Sequence, residues 1–88
     1  MLDSRDQSAR QVAPGMDVCD VSGEKVGTVA HVYTEAIDVK TGPLGLGKHL
    51  YVPPNAIDEV TEGGVILRHP KQDFHNFGLD VRPNQLTD

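Results

Sequence analysis

From Met16 onward the chain breaks into short runs in which apolar and polar residues alternate, each run closed by Gly, Pro, Asn or Ser. Residues 16–21 put Met16 and Val18 on one face of an extended segment and Asp17 and Cys19 on the other, the two-residue period of a strand. Residues 25–33 continue it, with Val26, Thr28, Ala30 and Val32 alternating against Gly27, Val29, His31 and Tyr33. Both faces of this second strand carry apolar side chains, which predicts cover on both sides near Gly27. Between the two strands Ser22-Gly23 is a hairpin turn in which Gly23 takes a positive φ at little cost. Gly27, inside the second strand, predicts a bulge or a close backbone approach where the sheet bends.

Four more runs follow. Ala36 to Lys40 is a third strand with Ile37 and Val39 pointing together, and His49 to Val52 is a fourth. In that fourth strand Tyr51 lies opposite in pleat to Leu50 and Val52. Pro53-Pro54 ends its ladder because neither residue donates a backbone hydrogen bond. Asn55 and Ala56 make a tight turn into Ile57–Val60, and Glu62-Gly63-Gly64 connects to Val65–Leu67. Beyond Pro70 the period changes: Phe74 and Phe77 lie three apart and Gly78 suits the position past a helix end. The pattern predicts an all-β fold, a small closed six-stranded barrel, with one short C-terminal helix whose two phenylalanines cap an open end. Residues 1–13 read as a flexible N-terminal arm, 14–78 as the folded domain, and 79–88 as a polar C-terminal tail.

At 88 residues there is room for one domain and none for a separate substrate domain. With two Phe, two Tyr and no Trp the core must rest on Val, Ile and Leu, so stability is modest and pairing with a second copy is expected. A single cysteine forms no intrachain disulfide, and the sequence shows no export signal and no apolar run of the length that spans a bilayer, which points to a cytoplasmic protein without a membrane span. The net charge of −5 opposes phosphate-backbone binding, and Lys25, Lys40, Lys48 and Lys71 read as scattered, so nucleic acid is not expected as a direct partner.

The succession Gly15-Met16-Asp17-Val18, then residues 22–29 (SGEKVGTV), then residues 48–53 (KHLYVP), Ala56-Ile57 and residues 64–67 (GVIL) resembles the PRC-barrel family in sequence and order over residues 14–78. That family is named from the cytoplasmic domain of the photosynthetic reaction-centre H subunit and also supplies a domain of a bacterial 16S rRNA maturation factor. The resemblance implies a compact barrel that docks onto other proteins and has no enzymatic centre. No partner-contacting residue of either relative falls on a matching position here.

Residues 42–48 (GPLGLGK) have P-loop spacing, but His49 stands where a magnesium-binding Ser or Thr is needed and a strand rather than a helix follows. The loop therefore reads as a glycine-rich hairpin connection, with Leu44 and Leu46 either folded over the core or offered to a partner. His31, His49, His69 and His75 are separated by 18, 20 and 6 residues, without the close ligand pair of a structural zinc site. His31 and His49 are expected to meet across neighbouring strands. Cys19 reads as a small, half-buried strand residue rather than a nucleophile, and Asp58, Glu59 and Glu62 as solvated edge charges. These readings predict a non-enzymatic interaction module without cofactor or metal, self-associating or docked on a larger protein through Leu44, Leu46 and Tyr51. The rivals are a small-ligand or metal-binding protein and a ribosome-assembly accessory factor.

Overall fold

A computed structural model describes residues 12–42 and 46–88. Six strands form one mixed sheet: β1 (Asp17–Cys19), β2 (Lys25–Val32), β3 (Ile37–Thr41), β4 (His49–Val52), β5 (Ile57–Thr61) and β6 (Gly64–Leu67). Their spatial order is β4-β3-β2-β1-β6-β5. Every expected strand is present to within a few residues. A 3-10 turn, Pro54–Ala56, links β4 to β5, and a longer 3-10 helix, Lys71–Phe77, follows β6. Gly78 closes that helix at φ 72, the left-handed conformation that glycine adopts without a Cβ penalty.

The sheet curls into a half-barrel rather than closing, because it ends in two edges and no described ladder joins β4 to β5. All sequential strand pairs are antiparallel, whereas β1 and β6 run parallel through Asp17↔Gly64 and Val18↔Val65. No local pattern announces a parallel pair of this sequence separation. Bulges supply the bend. Val18 pairs with Gly27 and Cys19 with Lys25, leaving Val26 as an extra residue, and Ala30 and Asp58 are extra in their own ladders.

The Val26 bulge corrects the expectation of a strand covered on both sides. Val26 and Val29 have opposite parity, yet both are buried in the same cluster, since the inserted residue resets the alternation. Val18, Val39, Val52, Val65 and Leu67 complete the centre of this single core. Gly27 fulfils its other expectation: a Cβ there would lie 2.2 Å from the Lys40 carbonyl oxygen, so β2 and β3 approach closely only because the side chain is absent.

Two further expectations change. Phe74 is buried, but Phe77 is 54% exposed and stacks on the His69 ring at 3.7 Å. The tighter 3-10 winding, three residues per turn, would align the two rings, but the helix is ending at Gly78 and Leu79 takes the inward place instead. Residues 79–88 do not trail away. Leu79 is buried, its carbonyl accepts the Tyr51 amide at 2.7 Å on the outer edge of β4, and Thr87 accepts from the Thr34 amide and donates to Glu35. One buried leucine, a few backbone bonds and side-chain bonds at Asp80, Arg82, Thr87 and Asp88 hold this segment, and none leaves a periodic trace in sequence. Of the expected N-terminal arm, residues 1–11 lie outside the described residues, and Val12 packs against the core.

Candidate binding surface at one end of the sheet

Strand direction decides what gathers where. β2 begins, β3 ends and β4 begins at the same end of the sheet, since each neighbouring pair is antiparallel with Gly27↔Thr41 and Lys40↔His49 in register. β6 is parallel to β1, so its exit toward the 3-10 helix emerges at that end as well. Lys25 opens β2, Lys40 lies near the end of β3, Lys48 precedes β4 and Lys71 opens the helix. All four lysines of the chain therefore meet at one end, correcting the scattered distribution expected from sequence. Residues far apart in the chain become neighbours at a strand spacing of about 5 Å.

Two adjoining cavities open there. The first, about 470 Å³, has Val26, Leu50 and Phe74 as an apolar floor and Lys48, Lys71, His75 and Asp80 at its walls. The second, about 610 Å³, is lined by Lys25, Lys40, Lys71, Thr28 and the backbone of Gly27 and Gly42, and shares Val26, Gly42 and Lys71 with the first. Among the described residues no carboxylate lines the second cavity. Lys25 pairs with Asp17 at 3.2 Å and Lys71 with Glu24 at 3.5 Å, both at solvent-exposed positions. Among the described residues Lys40 and Lys48 make no ion pair.

The glycine-rich loop rises beside these cavities. Thr41 donates from both its amide and its hydroxyl to the Lys48 carbonyl, and the Gly47 amide donates to the Thr41 carbonyl at 2.7 Å. A Cβ on Gly42 would lie 2.9 Å from the Gly47 Cα, and one on Gly47 would lie 2.8 Å from the Thr41 oxygen. The two glycines thus pinch the neck of the loop. β4 follows directly, which removes the helix a P-loop would need. Leu46 is 82% exposed at the described edge of this loop. Leu44 lies outside the described residues.

Tyr51, the third residue expected at an interface, sits on the outer face of β4 and is half-buried. Its ring lies beneath the Arg82 guanidinium at 5.7 Å and its hydroxyl accepts from Arg82 at 3.4 Å, so the C-terminal segment already covers part of it. The histidines do not converge. His49 bonds Asp38 at 2.6 Å, His75 bonds Asp80 at 2.8 Å, His69 stacks on Phe77, and His31 pairs with Asp88 and tilts against Tyr33. Asp38 is the ladder partner of His31, so His31 and His49 flank one carboxylate without a bond between them. Among the described residues no group of three His, Cys, Asp or Glu side chains is placed to hold a metal ion. Cys19 is half-buried on β1, between Lys25 and Ile66 in the ladders.

Asp20 is the residue that sequence reasoning missed. It is fully buried, and its carboxylate accepts from the Ser22 amide and hydroxyl, the Glu24 amide and the Lys71 amide. Burial pushes its pKa up, but these four donors outweigh burial and hold the group below the ordinary carboxylate range. It ties the β1–β2 turn to the start of the helix and so fixes where Lys25 and Lys71 stand. The Asp-x-Ser spacing ahead of Gly23 was its one legible signal, an Asx turn. Asp80 is also held low, by the His75 hydrogen bond above all. Its second oxygen is buried without a hydrogen-bond partner.

The geometry defines a small curled sheet of six strands that presents a glycine-necked loop and, at the same end, its four lysines. Residues 12–75 match the model of DUF2171, described as uncharacterized protein conserved in bacteria, and the chain belongs to that family. No curated protein matches the chain. Among the described residues no helix is long and apolar enough to cross a membrane.

Proposed function

We propose that this protein is a non-enzymatic contact module of PRC-barrel type, acting in the cytoplasm by associating with a second copy of itself through the pinched loop and Leu46. The observation that carries the reading is the 82% exposure of Leu46 on a loop whose neck two glycines hold closed. A side chain presented on a fixed neck loses little freedom when a partner covers it. Charge supports the choice of partner. The lysines stand at the loop end, while Asp58, Glu59 and Glu62 lie exposed on β5 and its turn, so one copy offers what another complements. The sheet and its packing occupy nearly all of residues 12–79, which favours contact over catalysis. Sedimentation equilibrium over a wide concentration range tests this: the reading expects association that Leu46→Ser weakens, and a protein that stays monomeric throughout contradicts it.

A further inference from the structure

We propose that the cavity between Lys25, Lys40 and Lys71 is a binding site for a small multivalent anion, of the kind carrying several phosphate or carboxylate groups. This goes beyond the contact reading, because it concerns a concave site beside the loop and needs no second copy. Three observations carry it. The chain is net acidic, yet three of its four lysines line one cavity of about 610 Å³, and Lys48 stands on the wall of the adjoining one. Among the described residues no carboxylate lines that cavity, whereas the smaller one has Asp80 at its wall, so an anion is steered to the larger. The Lys71 backbone is fixed there by its own amide, held in the Asp20 carboxylate at 2.9 Å.

The lining also indicates the class of ligand. Lysine ammonium groups act as compact point charges, suited to phosphate or carboxylate oxygens without the planar fork of arginine. Among the described residues no arginine lines the cavity, and Thr28 and the backbone of Gly27 and Gly42 offer short polar contacts there. The exposed pairs Lys25–Asp17 and Lys71–Glu24 cost little to break, since solvent screens ion pairs at such positions. An anion with two or more charged groups replaces both partners at once, which a single chloride cannot do.

The test is a titration of the full isotope-labelled chain at physiological salt and at a protein concentration too low for association, following backbone amide and lysine side-chain resonances. Inorganic tripolyphosphate and citrate serve as the two probes. The proposal expects saturable shifts centred on Thr28, Lys40, Gly42 and Lys71, with at least one probe, and the better probe identifies phosphate or carboxylate as the preferred group. The double variant Lys40→Ala/Lys71→Ala, exposed positions whose unchanged spectrum elsewhere reports an intact fold, should weaken binding about tenfold or more. Arg68→Ala, which lines neither cavity, should bind as the parent does. Absence of saturation with both probes, shifts spread over the whole surface, or equal binding by the double variant would each overturn the proposal.

Discussion

The Asp20 carboxylate holds the Lys71 amide at 2.9 Å while its other oxygen accepts from Ser22 and Glu24, so one buried side chain joins the first hairpin turn to the C-terminal helix. Asp20→Ala would leave these donors without their acceptor in a part-buried site. The expected loss is about 2–4 kcal/mol of unfolding free energy. Chemical denaturation of the two proteins checks it, and the Lys71 resonance should move with the loss of its anchor.

Acid should weaken the fold in a defined direction. Asp20, Glu35 and Asp80 all have folded-state values below the ordinary carboxylate range. For Asp20, burial raises the value but is outweighed by donors from Ser22, Lys71 and Glu24; Thr87 lowers Glu35, and His75 lowers Asp80. The unfolded chain then takes up protons first as pH drops. Stability from these groups is complete above the unfolded carboxylate value near 4 and is lost as pH falls below it through the folded values. Thermal unfolding followed from pH 7 to acid should show little change until about pH 4 and a decline beneath it, and Asp20→Asn should flatten that decline.

Gly27→Ala should damage the sheet severely. The new Cβ meets the Lys40 carbonyl at 2.2 Å, so the β2–β3 ladder must separate where it also forms a wall of the lysine cavity. A cost of about 3 kcal/mol is expected. Gly23→Ala, where a Cβ meets open space at φ 92, should cost only about 1 kcal/mol, and the pair of variants measured together separates close approach from backbone strain.

Leu79→Ala should cost about 2–4 kcal/mol, as a fully buried leucine that fills the space beside Phe74. Removal of residues 79–88 should cost more, because it also strips the Tyr51 amide of its acceptor on the edge of β4. Both outcomes are read from denaturant midpoints. A truncated chain as stable as the parent would mean that this segment packs only loosely.

Much of the scaffold was legible because strands, turns and the glycine cap are written locally. Ser22-Gly23, Pro53-Pro54 and Gly78 sit where the turns and ends occur, and Gly27 marked the close approach of β2 to β3. What escaped is non-local. The β1–β6 parallel pairing joins residues nearly fifty apart, and the meeting of Lys25, Lys40, Lys48 and Lys71 follows only from strand directions that the pairing sets. The bulge at Val26 also inverted a parity argument, since alternation is a reliable guide only within an unbroken ladder. Of the interface residues expected from sequence, Leu46 stands exposed, whereas the half-buried Tyr51 lies under Arg82.

The measurement closest to the centre of this account is the sedimentation equilibrium of the full chain beside Leu46→Ser, with circular dichroism to establish that both are equally folded. The account predicts a concentration-dependent mass for the parent and a shift of that dependence to higher concentration for the variant. Identical curves for the two proteins, or a single monomer mass at all concentrations, would contradict it.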